Sequence, residues 1–496
     1  DGAAAPEPAS SARTALASTV ALAALVVLYV PWGGSAPAVA ALAAAAGWML
    51  VRLRREDAQP LPLADAPMVR AIWIGLAATL IVAFAMRFTH IRDLPYGLWR
   101  DDARYGLVAL RMIEEPGYRP AYVPEVVSLP GLGLQLLGVG LRVWGIASWS
   151  MRTMPALAGA LAVIPLFGLA RRLTGRGDVA VLAAAFLAVS GWHVTVSRIT
   201  SSAAFHPLFE LTGLWCLAEG LAIGRRAAPP SAWRAVLLLG GGALIGASLQ
   251  TYHSGRSSPL IAAALVAVAW AAARGAVRFQ WRGLLWIVAG FAIAGGPLLA
   301  YAWNEPGKLN ARAGAVFLPR AAAANATPPL AALDASLGRH LLMFNVRGDF
   351  NGRRNVPLRP MLDPVTGLGF VLGLFVLWRA RADGRARFLA AALALGFAPS
   401  ALAVEGPHAL RAIGAAPFAC VIAALGWHDL ARRTPGARTA VALAGVAGCA
   451  LAFNAWSYFV VAPRDERVWG AAYAVETQVG TFVRDRAREG GPPAAG

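Results

Sequence analysis

Lysine is all but missing from this 496-residue chain: Lys308 is the only one, so its 45 basic residues are almost entirely arginine. Charge of any sign is scarce, at 14% of residues, where soluble globular proteins carry about 25%. Cysteine is limited to Cys216, Cys420 and Cys449, each inside an apolar stretch. That placement excludes a disulfide framework and a cysteine-based zinc motif. Also missing are a Gly-rich nucleotide loop, a Walker sequence and an HExxH or CxxC pair. No secretory cleavage site is evident, and the first apolar stretch is expected to remain as an anchor.

Apolar residues make up 58% of the chain and recur in stretches long enough to cross a bilayer. The fold class expected is an all-α polytopic membrane protein. About thirteen spanning helices are read at roughly 13–30, 35–52, 69–87, 152–172, 177–194, 204–222, 233–250, 258–273, 284–302, 364–379, 387–404, 412–427 and 439–461. The net charge of +19 then speaks for basic cytoplasmic loops and anionic membrane lipids, with no nucleic acid among the partners. Abundant Ala, Gly, Pro and Arg suit a GC-rich bacterial genome, and hence a bacterial cytoplasmic (inner) membrane.

Arginine clusters recur at 52–55, 171–176, 225–234, 274–282, 379–387 and 432–438. Placing all of them in the cytoplasm gives one consistent topology, with the N-terminus inside. Residues 1–68 then form an N-terminal extension with two spans. Residues 69–461 form the core, with large outer loops at 88–151 and 303–363, and 462–496 form an external tail. In the first loop, 103–113 has apolar residues at helical spacing and is expected as an interfacial helix. Segment 132–144 is apolar enough to mimic a span. Counting it as one would invert every later arginine loop, so it is read as lying on the surface.

On this topology the polar residues at outer helix ends face one cavity. Asp101 and Asp102 are the expected catalytic pair. Arg198, Tyr252, His253, Arg256, Arg353, Glu405, His408 and Arg411 are the expected substrate-binding residues. Arginine at membrane depth suits a phosphate, whose oxygens it binds bidentately. A carboxylate nearby can take a proton from an attacking hydroxyl or amine. Together these are the minimum for moving a sugar off a lipid phosphate. Each residue also has a plainer reading. Asp101 can serve as a helix cap, the arginines as side chains reaching for headgroups, and the histidines as ordinary interfacial residues.

The run Asp93–Gly106 resembles the first outer loop of the family 39 glycosyltransferases of the GT-C superfamily. These are the membrane mannosyltransferases and aminoarabinose-transferase-like enzymes. Pro95-Tyr96-Gly97, Asp101-Asp102 and Tyr105 carry the likeness. So do Arg152-Thr153-Met154-Pro155, Ala170–Gly175 and Ser197-Arg198, in that order. The resemblance implies a GT-C-type bundle and an inverting enzyme with a polyprenyl-phosphate sugar donor and Asp101 as general base. Two departures stand out. The second acidic residue is Asp rather than Glu, and Thr200–Ala204 lacks the acidic residue that some members carry. The second departure puts a divalent metal in question, and no other cofactor is implied. The sugar is not specified, and the acceptor is a protein, a lipid or a cell-envelope glycan. The alternative from another class is a transporter or flippase of a lipid-linked or anionic solute, which would favour midplane polar sites and internal repeats.

Overall fold

The computed structural model describes residues 61, 69–124, 127–224, 229–273, 282–432 and 437–489. The expected spans at 13–30 and 35–52 lie outside the described residues, as do most of the N-terminal extension and several loop arginines. The other eleven expected helices all form, within a few residues of their expected bounds. They are α1 (Arg70–Phe88), the end-to-end pair α4 (Ser150–Leu161) and α5 (Val163–Thr174), the pair α6 (Gly177–Val189) and α7 (Gly191–Arg198), α8 (Phe205–Gly220), α9 (Ser231–Leu249), α10 (Ser258–Ala273), α11 (Arg282–Asn304), α15 (Pro364–Arg379), α16 (Gly384–Ala401), α17 (Ala415–Ala431) and α18 (Ala437–Trp456). Among the described residues, six helical stretches are long and apolar enough to cross a membrane. The pair α6 and α7, bent by 51°, makes a seventh if counted as one span.

Helix chemistry explains several boundaries. Ser190 breaks α6 from α7 and caps the second helix, its hydroxyl accepting from the His193 amide. Asp363 does the same for α15, where Pro364 occupies the first helical position. Gly175 ends α5 with a left-handed φ of 72°, which glycine adopts without strain. The core runs through α5, α6, α8 and α17, whose facing residues are mostly alanine, leucine and valine. Small residues let these helix backbones approach closely.

Among the described residues, the arginines of the arginine-rich turns gather at one end of the bundle. There Arg172 pairs with Glu219 at 2.5 Å, His428 with Asp178 at 3.2 Å, and Arg379 with Asp429 at 3.6 Å. The two long loops are at the opposite end. The first folds into α2 (Arg100–Glu114), a two-stranded hairpin of β1 (Tyr122–Val123) and β2 (Leu129–Pro130), and α3 (Gly131–Trp144). At about 1.5 Å per residue, the 14 residues of α3 fall short of a hydrocarbon core about 30 Å thick. The second loop carries α12 (Pro306–Ala315), α13 (Leu318–Ala324) and α14 (Pro329–Met343).

Candidate active site

Two adjoining cavities open at the loop-bearing end, of about 1000 and 670 Å³. Asp102, Ile199 and Arg353 line both and so form the wall between them. The smaller cavity collects the expected site residues. Asp101, Asp102, Tyr252, His253, Arg256, Arg353, Glu405, His408 and Arg411 all line it. They come from four separate parts of the chain. The first turn of α2 supplies the acidic pair, and the turn between α9 and α10 supplies Tyr252, His253 and Arg256. The loop before α15 supplies Arg353, and the turn between α16 and α17 supplies the last three.

The two carboxylates have different surroundings. Asp101 is about one-third exposed, with Arg100 and Arg104 each at 3.7 Å. Asp102, the next residue around the helix, is turned inward and only 8% exposed. Burial pushes its carboxyl up to about 7, against the pull of Arg353 and Arg152 and with some help from Asp101. Burial also raises the neighbouring Tyr105 hydroxyl, which therefore stays protonated.

The arginines are tied down in different ways. Arg353 lays its guanidinium on the Trp99 ring, 3.8 Å from its centre, while its Nε is buried without a hydrogen-bond partner. Arg354 pairs with buried Asp349 at 3.1 Å and touches His408. Asp349 also accepts from the Ala409 amide at 2.8 Å, which locks the loop before α15 to the turn after α16. Burial and the cluster of Arg354, Arg411 and Arg353 hold the His408 imidazole neutral, well below the usual histidine range. Arg411 has Glu405 at 3.9 Å and a buried, unpartnered Nη1. Arg256 donates to the Leu309 carbonyl at 3.2 Å.

Arg198 does not join them. It is fully buried and donates to the carbonyls of Met86 at 3.0 Å and of Arg87 and Thr89 at 2.7 Å. Its Nε meets the Tyr458 hydroxyl at 3.0 Å. The guanidinium thus satisfies the open carbonyls at the end of α1 and has no reach into the smaller cavity. Sequence reading also passed over Trp99, the platform for Arg353, and Arg312 of α12, another residue of the smaller cavity. The larger cavity was not foreseen at all. Part of its wall comes from 462–472, beyond the last long helix.

Among the described residues, no group of three or more His, Cys, Asp or Glu side chains is placed to hold a metal ion. The charged neighbours of the acidic pair are arginines rather than further carboxylates, a donor set that does not fit a divalent cation.

Residues 77–252 match the family model described as dolichyl-phosphate-mannose-protein mannosyltransferase. With an almost wholly helical fold and several apolar helices, this makes the chain a membrane glycosyltransferase. The match covers the acidic pair and the run of motifs around it. No curated protein matches it in sequence. Among solved structures it is similar to ArnT from Cupriavidus metallidurans in the apo state, with 15% identity over 83% of this chain and 75% of that one and a TM-score of 0.48. The same ArnT bound to undecaprenyl phosphate gives 14% identity, 83% and 76% coverage, and a TM-score of 0.45. The Archaeoglobus fulgidus oligosaccharyltransferase tethered with an acceptor peptide gives 15% identity over 80% of this chain and 55% of that one, with a TM-score of 0.47.

Proposed function

We propose that the enzyme moves a sugar from a polyprenyl-phosphate donor to an acceptor hydroxyl or amine, with inversion, on the outer face of a bacterial cytoplasmic membrane. The observation that carries this reading is the gathering of an acidic pair and several arginines around one cavity at the loop-bearing end. Arginines clustered at the other end favour the cytoplasm there.

In the proposed reaction, Asp101 accepts the proton of the acceptor group. That group's oxygen or nitrogen attacks the anomeric carbon, and the bond from that carbon to the phosphate oxygen breaks. The polyprenyl phosphate leaves with the electron pair. Arg256 and Arg411 hold the phosphate, and Arg353 stands on the acidic side of it. Tyr252, His253, Glu405 and His408 shape the remaining wall. Asp101 sits in the first turn of α2, and its partial exposure leaves it within an acceptor's reach.

A second reading exchanges the two aspartates. Asp102 lines both cavities, and a carboxyl at about 7 is well matched to proton transfer near neutral pH. Transfer to endogenous acceptors by purified Asp101→Asn and Asp102→Asn separates the two readings. Loss of a general base costs roughly 100- to 10,000-fold. That loss is expected in Asp101→Asn, with a smaller one in Asp102→Asn. The opposite order establishes the exchanged roles. Retention of more than about a tenth of wild-type transfer in both variants, above the range for a lost base, removes the pair from proton transfer.

A further inference from the structure

The chain beyond the last long helix has no part in the chemistry so far described. It forms α19 (Glu466–Ala471) and α20 (Ala474–Arg488), and it folds back onto the four residues that lead into the acidic pair. The Tyr96 ring meets Trp469 edge to face, with centroids 5.5 Å apart. Gly97 lies so close to the Ala472 carbonyl that a Cβ there would collide with it. The Leu98 amide donates to the Thr477 hydroxyl at 2.8 Å. The Trp99 ring meets Tyr473 edge to face at 4.5 Å. Tyr473 has a left-handed φ of 57°, unfavourable for an aromatic residue and held only where its surroundings enforce it.

The contacts continue to the site. Trp99 carries the Arg353 guanidinium on its ring. In the second loop, Gly352 packs against the Arg467 carbonyl. The segment therefore holds both Trp99 and the neighbour of Arg353.

We infer that residues 466–477 are a positioning element of the active site, with Tyr473 fixing Trp99 and thereby the Arg353 guanidinium beside Asp102. Asp102 faces Arg353, Arg152, Asp101 and Tyr105. Arg152 is buried and donates to the Gly97 carbonyl at 2.8 Å, so it depends on the same gripped stretch. The inference rests on the proposed role of the acidic pair, but its test needs no sugar substrate.

The test measures the stability difference between Asp102 and Asp102→Asn across pH in the full-length protein, in wild-type, Tyr473→Ala and Tyr473→Phe backgrounds. In wild type the difference is expected to fall as pH rises from about 4 and to level off near pH 7, where folded Asp102 gives up its proton. A nearby opposite charge lowers a carboxyl by about one unit or more, so Tyr473→Ala is expected to move the level-off point of this transition up by about that much. Tyr473→Phe, which keeps the ring, is expected to leave it in place. An unmoved transition in Tyr473→Ala overturns the inference. If Tyr473→Ala fails to fold, Thr477→Val provides the second test. Amide exchange across 96–105 is expected to rise at least tenfold, and unchanged exchange overturns the inference. Failure here leaves the transfer experiments with Asp101→Asn and Asp102→Asn untouched, so the two readings fail separately.

Discussion

At the scale of single residues, neighbouring positions of one helix turn have received different chemistry. Asp101 keeps contact with water and two arginines, while Asp102 gives up solvent. The folded protein holds a proton on Asp102 up to about pH 7, whereas an unfolded carboxyl loses it near 3.8. Between those values the folded state binds more protons than the unfolded state, so this group's contribution to stability falls as pH rises. The slope is at most about 1.4 kcal/mol per pH unit. Thermal unfolding of Asp102→Asn should therefore gain on wild type between pH 5 and pH 8. A constant difference would place Asp102 in a solvated setting. Arg198 makes a contrasting case. Its Ser-Arg motif at an outer turn reads the same whether the guanidinium meets a ligand or its own backbone, and only the three-dimensional path of α1 distinguishes them. Arg198→Ala is expected to cost about 3 kcal/mol, since it strands several buried carbonyls. Arg256→Ala and Arg411→Ala should instead weaken binding of polyprenyl phosphate more than tenfold with little change in melting temperature. Equal loss of melting temperature in all three would contradict the separation.

At the scale of elements, the helices were legible because each is a long apolar run closed by a polar turn, and their order fixes the bundle. The interfacial helix of the first loop was legible from Tyr105, Val108, Ala109 and Met112. Segment 131–144 forms a helix packed beside α2, and its length of 14 residues explains why hydropathy alone left it ambiguous. The convergence of Tyr252, His253, Arg256, Arg353, Glu405, His408 and Arg411 was legible too, because alternating loops must share an end of the bundle. The grip of Trp469, Tyr473 and Thr477 on 96–99 was not. It joins stretches some 380 residues apart through two ring contacts and one hydrogen bond, and no local pattern announces such a meeting. A left-handed tyrosine is equally invisible in sequence.

At the scale of the whole molecule, charge divides the bundle into two ends. Arg172, Arg176, Arg379 and Arg432 are at one end, paired with Glu219, Asp178 and Asp429, and both cavities open at the other. Single cysteines placed at 351 and 467 should react with an impermeant reagent in intact cells, and one at 381 should be protected. Labelling in the reverse sense would turn the enzyme over in the membrane. The central claim is that the cationic cavity receives a polyprenyl phosphate. Native mass spectrometry of the purified enzyme with undecaprenyl phosphate tests this most directly. The account predicts one bound lipid phosphate in wild type and at least a tenfold weaker complex in the Arg256→Ala, Arg411→Ala double variant. Equal binding by wild type and the double variant, or no binding by wild type, would contradict it.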